Sequence, residues 1–299
     1  MLRLIVATRQ GLHAFDAHGR PEEVQHLGRS VTAVAPARSD LWAVIDGHEI
    51  WHDAGIGWRH VADLDRLRAT SLAGIDEDVF IGSAEARLFR IAGETLEPLE
   101  AFDGVDGRST WYTPWGGPPD TRSIANWDDD IYVNVHVGGI LRSDDRGGSW
   151  TPTIDLDADV HQVTTAEEQV LAACAGGLAV SSDRGTTWSV RTDGLEAPYS
   201  RAVAVCGEAV LVASSNGPRG GRAAVYRADR SGGPFERCLA GPGWFDDNID
   251  SYCLDALPDG SFAAFGTSDG RLYTSMDAGS TWEEGPSGLP PVERVLVMP

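Results

Sequence analysis

The sequence predicts an all-β protein, a seven-bladed β-propeller of four-stranded antiparallel blades, and three observations carry that prediction. An octapeptide recurs, as "SDDRGGSW" at 143–150, "SSDRGTTW" at 181–188 and "SMDAGSTW" at 275–282. The segments between copies share one grammar of short apolar runs punctuated by Gly and Asp, the pattern of strands joined by tight turns. No segment sustains a 3.6-residue apolar period, so no helix would have a face to bury.

Anchored on its aspartate, the octapeptide stands at Asp145, Asp183 and Asp277, with eroded copies at Asp53 in "DAGIGW" and at Asp229 in "ADRSGGPF", where Phe235 takes the aromatic place. The steps are 38 residues from 145 to 183, 46 from 183 to 229 and 48 from 229 to 277. From 53 to 145 the step is 92, two periods with one worn copy between. Such a period is the size of a propeller blade. The unit beginning near residue 29 reads "VTAVAP", "LWAVIDG", "HEIWHD" and "GWRHVA"; the one near 159 reads "HQVTTA", "QVLAACAGG", "LAVSSD" and "TWSVRT".

Six complete units start near residues 29, 68, 120, 159, 199 and 249. The first 28 residues hold only the second, third and fourth strands of a unit, and the terminal "VERVLVMP" supplies the missing first. A single domain over 1–299 is therefore expected, with blade 1 made of 1–28 plus 291–299. Closure by the C-terminal strand removes the open sheet edges of a linear array.

Composition excludes several functions. With 45 acidic against 24 basic residues the formal charge is -21, which repels nucleic acid and anionic membrane at long range. The basic residues other than His are all Arg, with no Lys, as expected of a GC-rich bacterial coding bias. No run approaches the roughly 18–20 apolar residues of a membrane span, and "MLRLIVATRQGLHAF" lacks a signal-peptide core. Cys174, Cys206, Cys238 and Cys253 show no CxxC spacing, so reduced thiols in a cytoplasmic monomer are expected.

The repeated S-x-D-x-G-x-T-W resembles the Asp-box, or BNR repeat, of sialidases and of non-enzymatic propellers such as sortilin-type receptors and photosystem assembly factors. In such a turn Asp accepts backbone N–H groups, Gly takes a positive φ and Trp packs between sheets. The resemblance implies that the turn lies on the face opposite the ligand site, making Asp53, Asp145, Asp183, Asp229 and Asp277 structural.

Function is then sought at the other end. Aligning the seven first strands places Thr32, Thr70, Arg122, His161, Arg201, Tyr252 and Glu293 at the channel mouth. Two arginines with His, Tyr and Glu suit a small anion; alternatively Arg122 and Arg201 pair with Glu293 across a plugged channel. The long loop at 102–121 adds Trp111, Tyr112 and Trp115, and the loop at 241–250 adds Trp244 and Phe245 beside Asp246 and Asp247. Aromatics around a polar centre suit a sugar ring or cap the blade ends. His136 joins His161 near the mouth, and Arg219 and Arg222 face the same way. The ligand-binding candidates are thus Arg122, Arg201, His136, Trp111, Tyr112, Trp115, Trp244, Arg219 and Arg222.

Other motifs fade under their own chemistry. "GTSDG" at 266–270 joins two strands, whereas a nucleophile elbow joins strand to helix. "DLDAD" at 155–159 offers Asp155, Asp157 and Asp159 to a cation but lacks the glycine and the glutamate of a calcium loop. His48, His52 and His60 fall on different strands. No metal and no cofactor is assigned.

Resemblance to sialidases implies an arginine triad, a Tyr/Glu couple and an aspartate acid. Arg122, Arg201, Tyr252, Glu293 and Asp246 resemble parts of that set, and with His161 the last three are the catalytic candidates. The family's F/Y-R-I-P signature is absent, "FRIA" at 89–92 lacking the proline, so the activity is not transferred. The expected function is binding of a small anionic or carbohydrate-like ligand at the channel mouth, with hydrolase or lyase chemistry left open. A protein-binding scaffold or assembly factor using the same face is the alternative, and a metal-dependent enzyme the third.

Overall fold

A computed structural model describes residues 2–16, 19–155, 158–241 and 243–299. These form seven four-stranded antiparallel sheets, a seven-bladed propeller, with one short helix, Glu100–Asp103, and a 3-10 turn, Arg108–Thr110. No helix among them is long and apolar enough to cross a membrane.

Blade 1 joins both ends of the chain in the order Val292–Met298, Arg3–Thr8, Gly11–Asp16, Pro21–Gln25. Arg3 lies opposite Met298 and Val6 opposite Val295. The first strands of blades 2 to 7 are Val31–Ala37, Ala69–Ile75, Thr121–Trp127, Val160–Ala166, Tyr199–Cys206 and Leu254–Ala256. Second strands such as Ala209–Ser215 are buried along their whole length. That is why they read as continuous apolar runs rather than alternations.

The chain divides into two compact units. The first comprises Met1–Ser30, Leu171–Val180 and Ser189–Pro299. Its core gathers Leu4, Val6, Phe15, Phe262, Phe265, Tyr273, Trp282 and Val295, with Phe265 stacked on Tyr273 at 4.8 Å. The second comprises Val31–Val170 and Ser181–Trp188. It holds one cluster around Phe80, Phe102, Trp111, Val133 and Trp150 and another around Trp42, Ile50, Leu72 and Ile81.

The three octapeptides fold identically. In the first, Asp145 Oδ1 accepts the Ser149 N–H at 2.8 Å and Oδ2 accepts its hydroxyl at 2.7 Å, while the Ser143 hydroxyl donates to Asp145 and accepts the Gly147 N–H. Asp183 and Asp277 hold Thr187 and Thr281 in the same way. Each turn needs two consecutive positive φ angles, Arg146 with Gly147, Arg184 with Gly185 and Ala278 with Gly279. The glycine was anticipated; the left-handed residue before it was not. Asp53 and Asp229 keep part of the pattern, accepting Gly55, Gly57 and Ser231 N–H groups.

These bonds form to the ionised carboxylate, and Asp145, Asp183 and Asp277 are all held below the usual carboxylate range, first by the hydroxyl of the residue four places on. A folded-state pKa below the unfolded one stabilises above about pH 4 and is lost as pH falls through the folded value. The wild type is therefore expected to lose urea resistance steeply below about pH 4, and a triple variant Asp145→Asn, Asp183→Asn, Asp277→Asn to be weaker at pH 7 with a flatter acid limb. Parallel acid limbs in urea titrations at pH 7, 4 and 3 would show that these carboxylates carry none of it.

Candidate functional site

In blade after blade the first strand carries a bulge at one position. Pairing between first and second strands slips between Val31 and Ala33, Ala69 and Ser71, Thr121 and Ser123, and Ser200 and Ala202. In blade 1 the partners step from Arg294 to Val292. The residues at these slips are Thr32, Thr70, Arg122, Arg201 and Glu293, five of the seven that strand alignment selects. A bulge re-aims a side chain and ends regular pairing, and bulges cluster at rims and sites.

In the second unit the first strands of blades 4 and 5 lie side by side. Two buried polar contacts fix their stagger: Asn134 Nδ2 donates to Val160 O at 2.7 Å, and Ser123 Oγ accepts the Val163 N–H at 2.8 Å. That stagger brings Arg122, His136 after the strand Asp130–Val135, Asp159 and His161 to one place. Arg122 Nη1 stands 3.4 Å from Nδ1 and 3.3 Å from Nε2 of His136. At these distances either ring nitrogen is within hydrogen-bonding reach of the guanidinium, which of them accepts depending on the His136 tautomer.

Asp159 Oδ1 lies 3.4 Å from His136 Nε2 and 3.3 Å from His161 Nε2. Burial pushes the Asp159 carboxyl up, but His161, His136 and Arg122 together hold it below its ordinary value. Behind it Asp120 is pushed up by burial, against the charges of Arg68 and Arg122. Trp115, 68% exposed, sets its edge on His136 at 4.6 Å, and Tyr112 is also exposed. Trp111 differs from expectation. It is buried against Phe102, and a Cβ on Gly138 would come within 2.9 Å of its ring. It closes the core beneath the loop rather than facing a ligand.

The other expected residues lie in the first unit. Arg201 pairs with Asp250 at 2.7 Å and Glu293 with Arg9 at 2.5 Å. The alternative pairing of Arg201 with Glu293 thus gives way to two separate ion pairs. Tyr252 adopts a positive φ of 64° and lies 3.5 Å beneath the buried Arg294 guanidinium. Nearby Asp255 keeps a little accessible surface, yet protein surrounds it and burial pushes it up to about 6, against the pull of the Val297 N–H that it accepts. Arg222 and Arg237 both lie over the Trp244 ring, at 4.5 and 4.1 Å from its centroid, and Arg222 also pairs with Glu196. Arg219 and Asp246 are exposed.

Asp246 borders a cavity of about 250 Å³ together with Trp244, Asp247, Ser268 and Arg271. There Ser268 Oγ donates to Asp247 at 2.7 Å, and no His lines the cavity to activate it, in keeping with a plain turn at "GTSDG". Of the three aspartates at 155–159, Asp157 lies outside the described residues and Asp159 faces histidines.

Sequence reasoning missed two features. One is the grouping of Asp159 with His136 and His161, of which the D-x-H spacing at 159–161 was the visible trace. The other is an open groove of about 640 Å³ lined by His48, Asp63, Arg66 and Arg68, whose sign was the basic "LDRLR" at 64–68.

No family model and no curated protein matches the chain. Solved structures do match its fold. A candidate 6-phosphogluconolactonase from Bacteroides uniformis aligns at 11% identity over 99% of each chain, with a TM-score of 0.71. The GH74 xyloglucanase of Xanthomonas campestris aligns at 15% identity and a TM-score of 0.62, over 95% of this chain and 46% of its own. YCF48 bound to a D1 peptide aligns at 15% identity and a TM-score of 0.60, over 95% of this chain and 85% of its own. At these identities the likeness is one of fold, shared by enzymes and by a peptide-bound protein.

Proposed function

We propose that the protein binds a small anionic or carbohydrate-like ligand at the end where the first strands begin, with Arg122, His136 and Trp115 as its contacts. The observation that carries this reading is the bulged Arg122, whose guanidinium lies against the buried His136 imidazole, with the exposed Trp115 on the same ring. A forked cation held in place offers paired charge-assisted bonds to a carboxylate, sulfate or phosphate, and an adjacent ring face covers the apolar side of a sugar. The repeated turns act as Asp-boxes and leave the chemistry to the opposite end. The four cysteines are free thiols, consistent with a cytoplasmic protein, which we take to be a monomer.

The test is a thermal-shift screen of acidic sugars, sulfates, phosphates and carboxylates. A ligand at 100 times its Kd adds about 2.7 kcal/mol, visible as a rise of several degrees in melting temperature. Such a rise in the wild type, absent in Arg122→Ala, is expected. If every compound shifts the two proteins equally, the anion site is abandoned.

A second reading, a protein-binding scaffold, is favoured by the exposure of Trp115 and Tyr112 on one loop. Exposed aromatics of this kind anchor interfaces. It predicts partner binding that is lost in Trp115→Ala and retained in Arg122→Ala.

A further inference from the structure

We infer that His136, Asp159 and His161 form a site for a divalent transition-metal ion, Zn²⁺ fitting best. This does not depend on the ligand reading above. The two Nε2 atoms stand 3.4 and 3.3 Å from one carboxylate oxygen, longer than the roughly 2.9 Å of a normal N–H···O bond. Ligand atoms held about 2.0–2.1 Å from a tetrahedral zinc are separated from one another by roughly 3.3–3.4 Å. All three atoms lie within 4.8 Å of one another. Two of the three separations thus match the edges of a coordination tetrahedron.

Three further observations agree. The imidazoles cross at 82° with centroids 6.3 Å apart, so their faces do not stack, and both Nε2 atoms reach the same carboxylate oxygen. His136 and His161 are 2% and 0% exposed, and Asp159 Oδ1 is buried without a hydrogen bond of normal geometry among the described residues. Buried polar atoms are nearly always satisfied, and a metal would satisfy this one. The Asp159 side chain keeps 22% exposure, a way in for the ion.

Two imidazoles and one carboxylate are the donor set of zinc centres that retain an open position. Such a centre would give an anion a second point of attachment beside Arg122. The other histidine–carboxylate group, His48, Glu49 and Asp63, is more open, and its residues carry no comparable burial.

The experiment uses the chelator-stripped full chain titrated with ZnCl₂ in a calorimeter. One equivalent is expected to bind. Asp159→Asn and His161→Gln should each weaken it at least about tenfold, the lower bound seen even when outer-shell partners are lost, while His48→Ala leaves it unchanged. Should the variants misfold, as judged by their melting curves, Co²⁺ binding to the wild type decides: an intense tetrahedral visible spectrum supports the site and a weak octahedral one overturns it. Absence of stoichiometric Zn²⁺ binding, binding unaltered in both folded variants, or binding lost in His48→Ala would also overturn it.

Discussion

Removal of residues 292–299 is expected to yield a chain that aggregates or melts without a cooperative transition. The strand Val292–Met298 is the first strand of blade 1, paired along its length with Arg3–Thr8. It buries Val292, Val295 and Val297 to 6%, 3% and 7% exposure. At about 1.5–3 kcal/mol for each buried side chain of this size, the three together contribute roughly 5–9 kcal/mol. A whole domain is stable by only about 5–15 kcal/mol. The deletion also bares the edge of Arg3–Thr8, an apolar template for pairing with other chains. It further uncovers Gly266, against which Val292 packs so closely that a Cβ would meet it at 2.5 Å. Size-exclusion chromatography and a thermal melt read the result. A monomer that melts within a few degrees of the full chain would refute closure of the ring by this strand.

Arg122→Ala is expected to weaken binding of the ligand found by screening at least about tenfold, whereas Arg201→Ala should weaken it far less. Hydrogen bonds to charged groups contribute about 1.5–3 kcal/mol, and about 1.4 kcal/mol is a factor of ten. Strand alignment treats the two arginines as equivalent, and both sit on bulges. Their surroundings separate them. Arg201 is held by Asp250 at 2.7 Å, so an anion would have to displace a carboxylate to reach it. Arg122 reaches His136 at 3.3 Å with Trp115 on the same ring, and shares its charge with Asp159 and Asp120 rather than with a single exposed carboxylate. Isothermal titration of both variants reads the difference. Equal losses would mean that the ligand spans both arginines, and no loss in either would favour the scaffold.

The fold was largely legible in the sequence because its signals are local. A turn that needs Ser, Asp, Gly and Trp at fixed offsets writes its bonds into eight residues, and each copy can be recognised wherever it occurs. The missing first strand of blade 1 was legible for the same reason: a period broken at one end of the chain was completed at the other. Positions such as Arg122 and Glu293 followed from strand alignment, and the structure adds that bulges hold them out of the ladder. What those side chains do was not legible. Glu293 meets Arg9, 284 residues away, and Trp111 enters the core because Gly138 leaves it room. His136 and His161 converge on Asp159 only because Asn134 and Ser123 fix the stagger of two neighbouring blades. Spacing along the chain determined the repeat, whereas distances across it decided which charges meet, since an ion pair or a coordination site depends on angstroms that no local pattern encodes.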